Sequence, residues 1–163
     1  MKISMDNAVK MGFPPVYDEH SRVLILGSFP SVKSREIAFY YGNKQNRFWK
    51  MLFSVYGEAY KESTEEKIEF LLRRGIALWD MATECRIHGS SDSTLTQPKL
   101  ADLTPIFARA KLQRILLNGA LAYELFCSKY SSVEIPYYKM PSTSPANPRY
   151  DESIWREKLY DLR

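Results

Sequence analysis

The sequence predicts a three-layer α/β fold, in which a four-stranded parallel sheet carries helices on both faces. Short, nearly continuous apolar runs occur at residues 22–26, 76–79, 114–117 and 135–140, and such runs are typical of strands buried on both sides in a parallel sheet. Segments with helical signals separate the runs, which is the alternation of a layered α/β domain. With 163 residues, 45% of them hydrophobic, the chain has the size and core of one domain covering residues 1–163.

The first half of the chain starts with an irregular lead-in at residues 1–20, because the Gly-Phe-Pro-Pro stretch at 12–15 is unsuited to regular structure. After the first strand, residues 46–56 have apolar side chains at helical spacing. A second helix is predicted at 63–72, where a serine precedes acidic residues in the first turn. Gly75 ends that helix.

The second half repeats the alternation of strand and helix. Its predicted elements are strand 76–79, helix 102–110, strand 114–117, helix 120–130, strand 135–140 and helix 151–162. Pro136 has no backbone N–H to donate, which places the fourth strand near an edge of the sheet.

Small or polar residues follow each predicted strand. In an open parallel sheet, ligands bind in the crevice beyond the carboxyl ends of the strands, so these residues mark the expected site. They are the loop Gly27-Ser28-Phe29-Pro30-Ser31, Asp80, Asn118 and the loop Pro141-Ser142-Thr143-Ser144. Backbone N–H groups of the first loop can hold a water molecule or an anion. The alternative for that loop is an ordinary strand-to-helix turn.

Aromatic, amide and cationic side chains are interleaved in residues 39–49. Rings stack on the face of a nucleobase and amides hydrogen-bond to its edge, so Tyr40, Tyr41 and Asn46 are candidates for a base pocket. The alternative is a helix start, with Asn46 as the N-cap. Residues 32–50 also hold five cationic side chains and one carboxylate, which suits a phosphate backbone or, alternatively, a solvated helix face.

Two further loops carry polar side chains that can contact a nucleic-acid backbone. The segment 140–149 is stiffened by two prolines, and Ser144, Asn147 and Arg149 are its candidates. A surface loop before the last helix is the alternative interpretation. Ser91 lies in a hydroxyl-rich loop after the second strand and can contact phosphates, although a solvated turn has the same composition.

Composition excludes several classes of protein. A formal charge of +4 and an isoelectric point of about 9.0 permit a phosphate-bearing partner. Cys85 and Cys127 are far apart and lack C-x-x-C spacing, so we expect neither a disulfide framework nor an iron–sulfur or zinc site. No apolar run approaches the roughly 18–20 residues of a membrane span, and no signal peptide is evident. We therefore expect a cytoplasmic protein without a membrane partner.

These segments, in this order, resemble the uracil-DNA glycosylase superfamily over residues 20–162. The similarity is closest to its hypoxanthine (deoxyinosine)-DNA glycosylase branch, which is related to the mismatch-specific uracil glycosylases. The matching stretches are LILGSFPSVKS at 24–34, FYYGNKQNRFWK at 39–50, GIALWD at 75–80, LLNG at 116–119 and MPSTSPAN at 140–147.

The resemblance implies that a deaminated base, hypoxanthine or uracil, is flipped out of double- or single-stranded DNA and that its N-glycosidic bond is hydrolysed without a cofactor. A monomer is expected. The implied catalytic residues are Asn46, Ser28 and Ser142. The implied base pocket consists of Gly27, Phe29, Pro30, Ser31, Tyr40, Tyr41, Asp80 and Asn118. The residues expected to bind DNA are Arg47, Ser91, Ser144, Asn147 and Arg149.

Departures from the family patterns narrow the expected mechanism. Phe29 occupies the position of a catalytic asparagine in the mismatch-specific relatives, and Ser142 replaces the histidine of classical uracil glycosylases. Asn46 is therefore the leading catalytic candidate; as a neutral amide it can orient water or hold the base but cannot take a proton. Asp80 accepts from a purine N–H or assists the water. No lysine in these motifs suggests lyase chemistry.

A different class of function uses the same fold. A catalytically silent domain that binds nucleic acid or nucleotides would carry the same strands and loops, because fold alone does not fix function. A small phosphate-metabolite hydrolase is less well supported, since no metal or nucleophile motif is present.

Overall fold

The computed structural model describes residues 9–30, 34, 39–87 and 95–160. Its strands are β1 Val9–Met11, β2 Val23–Gly27, β3 Ile76–Asp80, β4 Ala82–Ile87, β5 Leu95–Leu100, β6 Arg114–Asn118 and β7 Tyr137–Met140. Its helices are α1 Phe48–Val55, α2 Thr64–Arg73, α3 Thr104–Arg109, α4 Ala120–Tyr130 and α5 Glu152–Tyr160. All four predicted strands and all five predicted helices are present.

Strands β3, β2, β6 and β7 form the central sheet in that order, and every neighbouring pair is parallel. In β2, Leu24 lies between Ala77 on one side and Ile115 on the other. All five residues of β2 are buried, as expected for a strand covered on both faces. β7 lies at an edge, as Pro136 predicted.

Each face of this sheet carries its own hydrophobic core. Val23 and Ile25 point to the face covered by α1, α2 and α5. Leu24 and Leu26 point to the opposite face, where they meet apolar residues of α3 and α4. Successive side chains of a strand face opposite ways, so this alternation confirms the predicted three-layer α/β fold.

Helix α2 shows how local sequence fixes an element. The Ser63 hydroxyl oxygen accepts from the backbone N–H of Glu66 at 3.1 Å and donates to the Glu66 carboxylate at 3.0 Å. The first bond is the N-cap bond of a capping box, but the Glu66 carboxylate accepts from the serine hydroxyl rather than from the Ser63 backbone N–H. Gly75 follows the helix with φ +70° and turns the chain into β3.

The prediction of an irregular lead-in was wrong for part of its length. Residues Val9–Met11 form β1, which pairs antiparallel with β4, and Val16 makes an antiparallel bridge to Leu78. The partners lie more than 60 positions away along the chain, so no local pattern marks these residues as a strand. The Gly-Phe-Pro-Pro stretch itself is irregular, as predicted.

A second, antiparallel sheet, ordered β1-β4-β5, was not predicted. Strands β4 and β5 have the sequences ATECRI and LTQPKL, which are too polar to resemble buried strands. Pro98 fits because β5 lies at an edge, where a missing N–H costs no ladder bond. Among the described residues, no helix is long and apolar enough to cross a membrane.

Candidate active site

A pocket of about 170 Å³ opens at the carboxyl ends of the parallel strands. That volume is far above the roughly 10–15 Å³ that a single water needs. We call it the base pocket. Its lining residues are Gly27, Ser28, Phe29, Pro30, Ser34, Tyr40, Tyr41, Asn43, Asn46, Asp80, Asn118, Ser142, Thr143, Ser144 and Pro145.

The structure brings together all of the described residues that were predicted to be catalytic or to form the base pocket. Ser144, predicted to bind DNA, also lines the pocket. Arg47, Asn147 and Arg149 lie outside its lining. Ser31 and Ser91 fall outside the described residues.

The first loop, residues 27–30, is held by the chain that follows β3. The carbonyl oxygen of Gly27 accepts from the backbone N–H of Met81 at 2.7 Å, and that of Ser28 accepts from Ala82 at 2.9 Å. The Phe29 side chain is buried against Ala82. With both carbonyls engaged, the loop has a fixed path along the edge of the pocket.

Gly27 lies where the backbone of β2 comes close to the side chains of Asp80 and Tyr41. It stands opposite Asp80 in the β2–β3 register. A Cβ on Gly27 would lie 2.5 Å from Asp80 Oδ1 and 2.8 Å from the Tyr41 hydroxyl. Asp80 is only 5% exposed. The absence of a side chain at Gly27 therefore leaves room for both a buried carboxyl and a phenol hydroxyl beside the end of β2.

Tyr40 connects the pocket to the lead-in of the chain by hydrogen bonds to residues 13 and 14. Its hydroxyl donates to the carbonyl oxygen of Pro14 at 2.8 Å and also lies 3.2 Å from that of Phe13. Its own carbonyl accepts from Trp49 Nε1 at 2.8 Å. Burial raises the pKa of Tyr40 above its usual range, and the nearby Asp80 carboxylate raises it further. Tyr40 is therefore a neutral structural anchor in the pocket wall.

Tyr41 has a strained backbone, with φ +54°. Its ring stacks on Phe48 at a centroid distance of 4.1 Å. A positive φ is uncommon for a bulky residue and persists only where the surroundings enforce it; such residues cluster at functional sites. The Tyr41 hydroxyl lies beside Gly27, at the end of β2.

Asn46 lies just before the N-cap residue of α1, Arg47, and also lines the pocket. Its Oδ1 accepts from the backbone N–H of Phe48 at 2.9 Å, and its own N–H donates to the Asn43 carbonyl at 2.9 Å. An amide whose oxygen is engaged presents its NH₂ group to a ligand. The expectation of Asn46 as the N-cap was wrong by one residue, because the N-cap is Arg47. The Asn46 side chain still bonds to the first turn of α1 and lines the pocket, where its NH₂ group is available as a donor.

Asn118 fixes the second loop, residues 141–149, from the end of β6. Its Oδ1 accepts from the backbone N–H of Thr143 at 3.1 Å, and its Nδ2 donates to Thr143 Oγ1 at 3.0 Å. Thr143 is buried. Gly119, with φ +98°, allows close packing because a Cβ there would lie 3.2 Å from the Cβ of Ser142.

Arg47 fixes the same loop from the start of α1. Its backbone N–H donates to the Thr143 carbonyl at 3.1 Å, and its guanidinium donates to the carbonyls of Ser144 and, at 2.9 Å, Asn147. The guanidinium also lies 4.3 Å from the centre of the Tyr150 ring. These partners all belong to the protein, so they give the Arg47 side chain a positioning role. Its contact with DNA stays a prediction.

Bonds within the second loop complete its shape. The hydroxyl oxygen of Ser142 accepts from the Ser144 N–H at 3.2 Å, which leaves the Ser142 hydroxyl hydrogen able to donate elsewhere. Asn147 Nδ2 donates to the Ser142 carbonyl at 2.9 Å, and Asn147 Oδ1 accepts from the Arg149 N–H at 3.0 Å. The Arg149 side chain is exposed, as a DNA contact requires.

Among the described lining residues, the sequence predictions did not single out Ser34, Asn43 or Pro145, and they named Thr143 only as part of the loop after the fourth strand. Asn43 belongs to the aromatic and amide segment, so it carried a usable signal. Ser34 accepts from the Gly42 N–H at 2.8 Å and supports the turn that carries Tyr41. Its role depends on that contact, and neither it nor Pro145 had a local signal.

Comparisons with known proteins agree with this geometry. The sequence profile of the uracil DNA glycosylase superfamily matches residues 14–161. A hypoxanthine DNA glycosylase from Methanosarcina acetivorans is 34% identical over 152 residues, covering 90% of this chain and 96% of that protein. Its namesake from Methanosarcina barkeri is 35% identical over 112 residues, covering 68% and 71%.

A solved structure has the same fold. It is a solution NMR structure of a Methanosarcina acetivorans protein described as a candidate uracil DNA glycosylase. It superposes with a TM-score of 0.82 at 34% identity and covers 95% of this chain and 99% of that one. Since the profile spans nearly the whole chain and the relatives match along most of their own length, the chain belongs to the uracil DNA glycosylase superfamily.

Proposed function

We propose that the protein is a DNA repair glycosylase that hydrolyses the N-glycosidic bond of a deaminated base, with hypoxanthine as the preferred base and uracil as a second. One observation carries this proposal: the oriented amide of Asn46 and the buried carboxyl of Asp80 line one pocket in a chain that is similar to hypoxanthine DNA glycosylases.

The two side chains match the edge of a deaminated base. Hypoxanthine and uracil both present a ring N–H next to a carbonyl oxygen. Asp80 can accept from the ring N–H, and the Asn46 NH₂ group can donate to the carbonyl. Adenine presents an acceptor nitrogen beside an amino group, which is the reverse pattern. A site built to bind a donor–acceptor pair strongly disfavours an analogue that leaves its buried groups unpaired.

The same donor assists bond cleavage. As the glycosidic bond breaks, negative charge develops on the departing base. A donor already aimed at the base carbonyl stabilises that charge without reorganisation. The Ser142 hydroxyl is a second donor at the pocket wall. We assign the attacking water to the first loop, where Ser28 and the backbone N–H groups can hold it.

Finer aspects of the function are also part of the proposal. We expect a monofunctional glycosylase that leaves an intact abasic strand, because the described residues that line the base pocket include no lysine. We expect a monomer that acts in the cytoplasm on double- or single-stranded DNA. The exposed Arg149 side chain and the second loop are the proposed DNA contacts beside the pocket.

A substrate panel tests the proposal. Labelled duplexes and single strands that contain hypoxanthine, uracil, xanthine or no lesion are incubated with the protein and then treated with alkali, which cleaves abasic sites. We expect alkali-dependent cleavage at hypoxanthine. Binding without abasic sites on any lesion would identify a catalytically silent domain instead. Cleavage before alkali would contradict a monofunctional enzyme.

A further inference from the structure

A second cavity, of about 180 Å³, adjoins the base pocket. We call it the Lys67 pocket. Its lining residues are Tyr41, Gly42, Asn43, Lys44, Asn46, Trp49, Lys50, Tyr60, Glu62 and Lys67. Tyr41, Asn43 and Asn46 line both cavities. The segment 41–46 is therefore a thin wall between the two.

Lys67 is buried in this cavity without an acidic partner. Its residue surface is 7% exposed. The ammonium lies 5.1 Å from the ring centre of Trp49 and 5.6 Å from that of Tyr60. Within the described part of the chain, no carboxylate lies within ion-pair distance of it. Buried lysines are almost always paired, and a ring face attracts the charge but leaves the N–H donors unused.

The surrounding charges favour an anion. Lys44 and Lys50 are exposed and line the same cavity. Glu62 is the acidic residue of the lining; its side chain is 73% exposed and lies 4.0 Å from Lys44. Among the described lining residues, three ammonium groups therefore accompany one solvated carboxylate. Burial lowers the pKa of Lys67, while Glu62 opposes that shift. A bound anion would restore the charged form.

We propose that the Lys67 pocket binds a backbone phosphate of the DNA strand whose flipped base occupies the adjoining base pocket. This inference rests on the proposed function. A base and the phosphates of its own nucleotide are joined through one sugar, so they can lie on opposite sides of the thin wall 41–46. Lys67 supplies the buried charge-assisted donor, and the two exposed lysines supply the electrostatic attraction.

The test measures binding to a duplex with one tetrahydrofuran abasic-site analogue, which cannot be hydrolysed. Lys67→Met keeps an apolar chain against Trp49 but removes the charge. We expect dissociation constants about 10-fold higher, the lower range for a lost hydrogen bond to a charged group. The plot of log binding constant against log salt should become shallower by about 0.9, as one lost phosphate contact requires.

Two matched variants control for folding and for overall charge. Lys111→Met removes one charge from an exposed residue beside the amino end of β6 and should leave affinity and salt slope unchanged. Lys50→Met, at an exposed residue that lines the same cavity, gives a second measurement if Lys67→Met unfolds. It should also make the salt slope shallower.

Neutral methylphosphonate substitutions beside the abasic analogue identify the phosphate. At the phosphate that Lys67 contacts, the substitution should weaken binding by the wild-type protein. At the same position it should cause no further loss of affinity in Lys67→Met. Two results would overturn this inference: a wild-type salt slope in folded Lys67→Met, or losses from the variant and the methylphosphonate that add at every position. Neither result would touch the proposed function, because glycosylase activity on hypoxanthine is measured separately. If the wild-type protein binds no duplex, this inference and the proposed function both fail.

Discussion

The side-chain oxygen of Asn46 accepts a hydrogen bond from the backbone N–H of Phe48 at 2.9 Å. This bond belongs to the start of α1 and exists without any ligand. It determines which end of the amide a base can meet, because the engaged oxygen leaves the NH₂ group for the pocket. The helix start thus preorganises the donor on which the proposed chemistry depends.

Two substitutions separate these roles of Asn46. Asn46→Asp keeps an acceptor for Phe48 and adds a negative charge that suits a helix N-terminus, so stability should be retained. It removes both N–H donors, so kcat/KM for hypoxanthine excision should fall roughly 100-fold or more. Asn46→Ala should lose activity and also about 1 kcal/mol of unfolding free energy.

Alkali-revealed cleavage and urea denaturation measure the two effects. Gln45→Glu makes the same amide-to-acid change at a neighbouring exposed residue and should leave both quantities near wild type. Full activity in Asn46→Asp would remove the amide donor from the mechanism.

Gly27→Ala tests the close approach at the end of β2. The new Cβ would lie 2.5 Å from Asp80 Oδ1 and 2.8 Å from the Tyr41 hydroxyl. Relief of this overlap should cost about 1–3 kcal/mol of unfolding free energy and displace both side chains, which lowers kcat. Gly12→Ala is the control, because its Cβ would meet its nearest neighbour at an ordinary 3.4 Å. Equal stability and activity of the two variants would contradict the crowding at Gly27.

The sheet could be predicted because its signal is local. Strands β2, β3 and β6 are buried over most of their length, and each therefore contains a short uninterrupted apolar run. The second sheet lacked this signal, since the polar sequences of β4 and β5 acquire strand geometry from pairing with each other and with β1. Sequence reasoning fails where the pairing partner, rather than the residue type, determines the conformation.

Within the site, sequence indicated which residues meet but not what each side chain contacts. Asn46 and Asp80 were placed at one pocket from motif order and strand ends. The orientation of the Asn46 amide depends on a hydrogen bond whose geometry no pattern encodes. Arg47 contacts carbonyls about 100 positions further along the chain, so a cation that suits DNA in the sequence has a structural use in the fold.

Arg47→Lys tests whether Arg47 mainly holds the second loop in place, which we call the clamp, or mainly contacts DNA. Lysine keeps the positive charge but lacks the planar fork that reaches the carbonyls of Ser144 and Asn147. If the clamp is the main role, the variant should bind DNA more weakly and show faster amide hydrogen exchange in residues 141–149. Arg109→Lys, at an exposed residue that pairs with Glu19 and lies outside the second loop, should match wild type in both measurements. Wild-type behaviour of Arg47→Lys would favour the simple charge contact.

The pair Asn118 and Thr143 should act as one unit. Asn118→Ala removes both hydrogen bonds to Thr143 and leaves its buried groups unsatisfied, which should cost about 1–3 kcal/mol. Thr143→Val loses only the hydroxyl contact and should cost less. In the double variant the losses should be smaller than their sum, because both changes remove the same side-chain bond. Strictly additive unfolding free energies would show that the two residues are not coupled.

Asp80→Asn separates base recognition from activation of water. As an acceptor for the ring N–H, Asp80 favours hypoxanthine over adenine, whereas an asparagine can rotate its amide to donate to the adenine ring nitrogen. The hypoxanthine-to-adenine ratio of kcat/KM should therefore fall by at least about 10-fold, the scale of one base-edge contact. If Asp80 instead activates water, excision of every base should fall by the same factor and the ratio should stay constant. Asp151→Asn, at an exposed residue outside the lining of the base pocket, is the matched control and should change neither rate nor ratio.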